Sequence, residues 1–232
     1  MLRPQFEKSQ VAAIDQFEPY VQKLISQIPN DGSTVDLQEL FHKLTMDTST
    51  EFLLATGTDC LGGDEEAVKF SRTYDRILKD GMWKDVLGPL YHLYPHREAT
   101  NAIKFAHSSV EKWVQQAMQI KDATDSSGMA KERGERYVFV NELARHQEVD
   151  AVRVRDETLN ILLAGRDTTA SLLSNLWFVL AREPEVYAKL QAEIAQLNGQ
   201  QPSYETLRDM KYIKYTVQEC KPPRLRRSLS TR

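Results

Sequence analysis

The sequence predicts a mainly α protein, and three observations indicate this fold class. Apolar residues recur at helical spacing along most of the chain, whereas few segments show the alternation of a strand. Capping residues and breaks at proline or glycine divide these runs into segments of helical length. One stretch, residues 150–182, would run roughly 45–50 Å as a single helix at 1.5 Å per residue. We expect the other helices to surround it.

Composition narrows the class of protein. Lysine and arginine number 30 against 33 acidic residues, so the net charge of −3 gives no general case for nucleic acid or an anionic membrane. The two cysteines, Cys60 and Cys220, form no disulfide framework and are typical of a reducing compartment. No apolar run approaches the roughly 18 residues of a transmembrane segment, and the start has no apolar signal region. We expect one helical domain with no nucleic-acid partner.

The first two helices are predicted from apolar spacing and a cap. Residues 9–28 carry apolar side chains at helical spacing, and Pro19 within them predicts either a kink or two short helices. Asp36 and Glu39 form a capping box, which predicts the start of a second helix there.

The elements that follow are predicted in the same way. A helix is expected over 64–80, closed by Gly81, and a longer one over 95–119. Residues 121–136 are polar and glycine-containing, which indicates a surface loop or a disordered linker. A short helix over 137–147 is then expected to lead into the long one.

Two groups of residues can be considered as metal ligands. His92 and His96 have the four-residue spacing of helical metal ligands, but Pro95 disfavours a continuous turn and no H-E-x-x-H motif is present. Cys60 is predicted in a surface loop, and a thiolate ligand requires a positive, enclosed setting. We therefore predict no metal ligand among these residues and interpret Cys60 as a bystander thiol.

The long helix is predicted to be central and buried. Asp150 provides an N-cap, and Glu183-Pro184 provides a stop. Apolar residues at 159–164 and 172–181 fill nearly every side of the helix. Between these two blocks lie one glycine, two charged residues and two threonines, at positions 165–169. Beyond the stop, shorter helices are expected over 184–197, after Ser203, and over 210–219.

The polar group has a defined helical geometry. One stripe carries Ile161, Gly165, Thr168 and Leu172, with Ala164 and Thr169 at its edges. The middle of this stripe lacks a bulky side chain, so a flat ligand could approach the backbone there. The Thr168 hydroxyl can bond the carbonyl of Ala164, which weakens the helix and can open a bulge. Arg166 and Asp167 point to the other side, where burial would require partners. A core helix with a glycine kink and one internal ion pair explains the same pattern.

The motif itself resembles that of a known family. Residues 164–169, Ala-Gly-Arg-Asp-Thr-Thr, resemble the A-G-x-D-T-T motif in the long distal helix of the cytochrome P-450 family, the haem-thiolate monooxygenases. The longer string over 159–170 looks especially like the fungal branch that hydroxylates alkanes and fatty acids. Leu-Arg-Pro-Gln-Phe at 2–6 resembles the end of the family's third helix. Arg-Glu-Pro-Glu at 182–185 makes the resemblance specific.

The resemblance implies a function and a set of site residues. The reaction would insert one oxygen atom from dioxygen into a carbon–hydrogen bond of a hydrophobic substrate, with haem b as cofactor and electrons from an NADPH-dependent reductase. Proton delivery to bound oxygen would be carried by Asp167 and Thr168. Contact with haem would be made by Ala164, Gly165, Thr168 and Thr169, and Thr169 would also support the helix deformation. Intact members would lie at the endoplasmic reticulum membrane, and this chain, without an anchor, would be cytoplasmic or peripheral.

The family pattern breaks near residue 220. Glu219 begins an apparent E-x-x-R sequence, but Pro222 stands in place of the arginine. The cysteine loop that binds the haem iron, F-x-x-G-x-R-x-C-x-G, does not occur, and Cys220 lacks its preceding residues. We therefore expect residues 1–220 to form the central portion of the P-450 fold, incomplete at both ends. The basic tail at 221–232 is either a localisation or phosphorylation segment, or the product of a frame shift or mis-splicing.

Three functional interpretations remain open from the sequence. The first is a monooxygenase of this family whose chain, as printed, is inactive. The second is a non-catalytic fragment, either a pseudogene product or a gene-model product. The third is a helical lipid-binding or interaction module that uses an empty cavity.

Overall fold

The computed structural model describes residues 14–94, 97–127, 138–145 and 149–220, with side chains described to residue 120 in the second range. In these ranges the chain forms nine α-helices, two 3₁₀ helices and no strand, so the mainly α prediction is confirmed. The α-helices are α1 (Glu18–Ser26), α2 (Leu37–Leu54), α3 (Glu65–Leu87), α4 (Arg97–Ser127), α5 (Phe139–Ala144), α6 (Ala151–Leu180), α7 (Pro184–Ala195), α8 (Tyr204–Asp209) and α9 (Lys211–Glu219). The two 3₁₀ helices are Ile14–Phe17 and Gly88–Leu93.

The predicted caps are present. Asp36 accepts a hydrogen bond from the backbone N–H of Glu39 at 3.1 Å and begins α2. Asp150 accepts from the N–H of Arg153 at 2.8 Å and begins α6. These side chains satisfy donors that a helix start leaves unpaired, which is why the beginnings of both helices were predictable.

The core lies where α4, α5 and α6 meet α2 and α3. Its largest cluster includes Val110, Val114, Phe139, Leu143 and Leu162, each almost completely buried. A smaller cluster joins α1 and α2 to α6. Apolar burial of this kind contributes roughly 25 cal/mol per Å², so these clusters hold the helices around α6.

Two helices run further than predicted. Helix α3 passes through Gly81 and ends at Leu87, because one interior glycine costs only about 1 kcal/mol and does not stop a helix without other breakers. Helix α4 continues to Ser127, so residues 121–127 are helical and not part of a linker. The rest of that predicted linker, 128–136, lies outside the described residues.

Pro19 separates two short elements, one of the two alternatives predicted. The 3₁₀ helix Ile14–Phe17 leads into α1, and Pro19 occupies the first turn of α1, where it breaks no intrahelical hydrogen bond. Residues 9–13 of this predicted segment lie outside the described part of the chain.

Helix α6 is central but not buried on every side. Its buried stripe consists of Val154, Thr158, Leu162, Arg166 and Ala170, spaced four residues apart, with Leu180 near the end. Trp177 and Phe178 in the last turns are 43% and 59% exposed. The all-round burial that the apolar runs predicted is therefore wrong there, because the elements described by the structure leave that face of α6 open.

Candidate functional site

A groove of about 490 Å³ lies between α1, α2 and α6. Two motif residues, Gly165 and Thr169, line it from α6. The other lining side chains are mostly apolar: Phe17, Val21, Leu44, Thr45, Thr48, Ser49, Phe52, Leu53, Ile161 and Leu173. The motif thus borders a mostly apolar space, a setting that suits a hydrophobic ligand.

Gly165 of α6 lies directly beside Ser49 of α2. A Cβ atom built on Gly165 would be 3.1 Å from the Oγ atom of Ser49. Such a distance is tighter than ordinary van der Waals contact, so the absence of a side chain lets the two helices pack. The sequence predicted an open stripe at Gly165 for a flat ligand, and the structure places a neighbouring helix beside it.

Ala164 and Thr168 lie on an exposed part of α6. The Thr168 hydroxyl donates a hydrogen bond to the Ala164 carbonyl at 2.6 Å, as the sequence predicted. Helix α6 nevertheless runs unbroken from Ala151 to Leu180, so the bulge that this bond could open is not present. The Thr168 hydroxyl therefore bonds the Ala164 carbonyl without interrupting the helix.

Arg166 is the largest fully buried side chain described, at 1% exposure. Its Nη1 donates to Asp167 Oδ1 at 2.6 Å and to Asp75 Oδ1 at 2.9 Å, and its Nη2 donates to Ser71 Oγ at 2.9 Å. The sequence predicted that burial would require partners for this pair, and this is confirmed. Ser71 and Asp75 come from α3, which no local pattern in the sequence could indicate.

Two further residues border Asp167. The Nδ1 atom of His42, on α2, lies 3.6 Å from Asp167 Oδ1. Tyr74, on α3, is buried, and burial raises the pKa of its hydroxyl; nearby Arg166 opposes this shift and Asp167 adds to it. Sequence reasoning missed both residues, because neither lies in the motif nor in a recognisable spacing relative to it.

The sequence model of the cytochrome P-450 family matches residues 2–221. This chain belongs to the cytochrome P-450 family. The P-450 resemblance of the motif is thereby confirmed, and the family's cofactor is haem.

Two curated relatives of this P-450 chain are fungal proteins. It is 41% identical over 223 residues to cytochrome P-450 monooxygenase himC of Aspergillus japonicus, covering 94% of this chain and 40% of that protein. It is 35% identical over 238 residues to cytochrome P-450 52A1 of Candida tropicalis, covering 94% of this chain and 42% of that protein. The chain thus spans about two-fifths of the length of these relatives.

The P-450 motif helix suits one face of a haem. Ala164 and Thr168 present only a methyl group and a small side chain on an exposed surface, so a planar group can approach the helix there. A haem in this family also needs a thiolate ligand, and the sequence holds no F-x-x-G-x-R-x-C-x-G loop. The exposed face of the motif therefore fits the approach of a planar cofactor.

Cys60 lies in the loop between α2 and α3, but it is completely buried, so its predicted place at the surface is wrong. Burial, together with the nearby Asp47 carboxylate, raises the pKa of this thiol to about 12. Its Sγ donates to the Ala67 carbonyl at 3.1 Å. A thiol that stays protonated at neutral pH is a poor metal ligand.

The prediction that His92 and His96 do not form a metal site stays untested. His92 lies exposed in the 3₁₀ helix Gly88–Leu93, while His96 is outside the described residues. Among the residues that the structure describes, three or more His, Cys, Asp or Glu side chains nowhere gather as metal ligands would. Within the same part of the chain, every helix is too short or too polar to cross a bilayer.

Proposed function

We propose that this chain carries the oxygen-side portion of a haem-dependent monooxygenase that hydroxylates a hydrophobic substrate of alkane or fatty-acid type. The observation that carries the proposal is the arrangement of the motif: Thr168 is exposed beside Ala164, while Asp167 is anchored behind it by Arg166. The substrate class rests on the resemblance of residues 159–170 to the fungal branch. The chain spans about two-fifths of the length of its relatives, so the activity is proposed for the whole protein.

The cofactor proposed is haem b, with electrons from an NADPH-dependent reductase and a location at the endoplasmic reticulum membrane. When bound, haem activates dioxygen for insertion into a carbon–hydrogen bond. The proposal gives Ala164, Gly165, Thr168 and Thr169 the contacts with its oxygen-side face. Residues 1–220 then act as part of one P-450 domain, with 221–232 outside it.

Asp167 and Thr168 would control protons at this face. The Thr168 hydroxyl is oriented by its bond to the Ala164 carbonyl, so its lone pairs face outward and can accept a hydrogen bond from water. Asp167 directly precedes Thr168 in the chain, and the Arg166 guanidinium holds its carboxylate at 2.6 Å. A carboxylate beside an oriented hydroxyl can hold and release a proton at a defined place, which is what oxygen–oxygen bond cleavage requires.

Replacement of Thr168 tests this role in the haem-loaded full-length enzyme. Thr168→Ala should retain haem content but divert reduced oxygen to peroxide, whereas Thr168→Ser should keep the hydroxyl and most of the coupling. Ser171→Ala, an exposed hydroxyl on the same helix, is the matched control. Product formed per NADPH consumed is the measurement. An unchanged ratio in Thr168→Ala would show that the assigned proton role is wrong.

The isolated chain of 232 residues is proposed to lack thiolate-bound haem. The support is the burial of Cys60 and Cys220, which raises the pKa of both thiols. The chain should be expressed with haem supplied, reduced and exposed to carbon monoxide. A stoichiometric red-shifted thiolate band would contradict this and assign the enzyme activity to the chain itself.

The mostly apolar groove favours a second candidate, a helical lipid-binding module. Its 490 Å³ lies between α1, α2 and α6 and could hold part of an acyl chain. Titration of the haem-free chain with a fluorescent fatty acid tests this, with Leu44→Arg in the groove as the variant. Saturable binding lost in Leu44→Arg favours the module. If the folded chain binds no fatty acid, the lipid-binding hypothesis is wrong. The non-catalytic fragment is then the remaining alternative to the enzyme.

A further inference from the structure

The two oxygens of the Asp167 carboxylate have different environments. Oδ1 accepts a hydrogen bond from Arg166 Nη1 at 2.6 Å and lies 3.6 Å from His42 Nδ1. Oδ2 is buried and accepts no hydrogen bond from any residue that the structure describes. Because a carboxylate oxygen can accept more than one hydrogen bond, Oδ1 has room for a second donor.

The Nδ1 atom of His42 is a candidate for that second donor. Its side chain is only 26% exposed, and Nδ1 is buried without a hydrogen-bond partner among the described residues. Buried ring nitrogens nearly always have a partner, and 3.6 Å lies just outside hydrogen-bond range. A small rotation of the imidazole would close this gap, so Asp167 is the partner that the geometry offers.

We propose that His42 is a positioning residue for Asp167, with its Nδ1–H donating to Oδ1 so that the carboxylate is held in one orientation. The proposal rests on the proton-delivery role proposed above for Asp167 and Thr168.

A second donor would limit rotation of the Asp167 carboxylate. Arg166, the sequence neighbour of Asp167, fixes Oδ1 from α6 itself and also bonds Asp75 on α3. One contact leaves the carboxylate free to turn about its Cβ–Cγ bond. A donor from α2 on the same oxygen restricts that rotation and holds the carboxylate in one orientation, as a positioned proton carrier requires.

The tautomer of His42 tests the contact in the 232-residue chain without haem. Histidine labelled with ¹⁵N reports by NMR which ring nitrogen carries the proton. We expect neutral His42 to be the Nδ1–H form, against the Nε2–H preference of free imidazole, and Asp167→Ala to restore that preference. Asp156→Asn, an exposed acid on the same helix, is the control and should change nothing. A His42 that is Nε2–H in the wild type, or unmoved by Asp167→Ala, would overturn the proposal.

A pair of substitutions tests its consequence in the haem-loaded full-length enzyme. The Nδ2 of an asparagine lies close to the Nδ1 position of histidine, whereas leucine has no donor. His42→Leu should lower the ratio of product to peroxide by roughly 10-fold, a fraction of what a proton donor contributes in all. His42→Asn should restore most of that loss, with haem content equal in both.

The two tests separate failure of this proposal from failure of the proposed function. Coupling that is normal in His42→Leu but lost in Thr168→Ala would refute the positioning role and leave the monooxygenase role standing. Coupling that is normal in both variants would refute the proton role of the motif, and with it this proposal.

Discussion

The Oγ atom of Ser49 lies 3.1 Å from the place that a Cβ atom on Gly165 would occupy. The next nearest atom, the Cβ of Ser49, would lie at 3.9 Å, which is ordinary contact. One hydroxyl therefore decides whether α2 and α6 can approach each other beside the groove with a side chain at position 165. This relationship can be tested with a double-mutant cycle.

Gly165→Ala should show a stability effect that depends on Ser49. Alanine favours a helix over glycine by about 1 kcal/mol, but contact with Ser49 Oγ should cancel this gain. In a Ser49→Ala background the same change should stabilise the chain by about 0.5–1 kcal/mol. Urea unfolding of the four proteins measures the coupling. Equal gains in both backgrounds would show that the approach is not tight.

Removal of the Arg166 guanidinium should destabilise the chain strongly. Arg166→Met keeps the volume but leaves Asp167 partly buried without its ion-pair partner, a loss on the order of 3 kcal/mol. The matched control is Arg153→Met, an exposed arginine on the same helix, which should change stability by less than about 0.5 kcal/mol. Chemical denaturation measures both. Similar small effects in the two variants would contradict a structural role for the buried guanidinium.

The helices were predictable where local chemistry determines them. Asp36 and Asp150 satisfy backbone donors within three residues, so both helix starts can be read from short segments. Gly81 misled the prediction of the end of α3, because one glycine is a weak breaker unless other signals accompany it.

The motif was likewise predictable, while its surroundings were not. The Thr168–Ala164 bond follows from helix geometry alone. The contacts of Arg166 with Ser71 and Asp75 depend on how α3 packs, and so do the positions of His42 and Tyr74. The burial of Cys60 depends on Asp47, thirteen residues away, which accepts the Cys60 N–H at 2.7 Å. Periodicity and spacing describe one segment at a time and carry no information on such pairings.

Asp47 should make the stability depend on pH. It accepts hydrogen bonds from Thr58, Cys60 and Leu61, yet burial raises the pKa of its carboxyl. A raised folded pKa means that the stability contributed by the protonated form is present below the unfolded value near 3.8 and is lost as the pH rises through the folded value. As the pH rises from the unfolded pKa of Asp47 to its folded pKa, the wild type should therefore lose stability relative to Asp47→Asn. The loss should be about 1.4 kcal/mol for each unit by which the two pKa values differ.

The measurement for Asp47 is urea unfolding across the acid range. Asp85→Asn, an exposed residue, controls for the loss of one negative charge. A difference between wild type and Asp47→Asn that is constant with pH, or that changes in the opposite direction, would contradict the raised pKa.

Cys60 should resist thiol reagents in the folded chain. Its burial and its pKa of about 12 leave almost no accessible thiolate at pH 8. In a Cys220→Ser background, labelling by iodoacetamide should proceed only after denaturant is added, at least about 100-fold more slowly in the native state. Mass spectrometry counts the label. Rapid native labelling would place Cys60 at the surface.

The Arg166–Asp75 ion pair joins residues that are 91 positions apart in the sequence. During synthesis α3 therefore emerges well before the guanidinium that binds it, and its contact must wait for a large loop to close. Closing such a loop costs chain entropy before any contact compensates for it. The part of α3 that carries Ser71 and Asp75 should thus stay hydrated until α6 arrives, so formation of the contacts with Arg166 is a late event in folding.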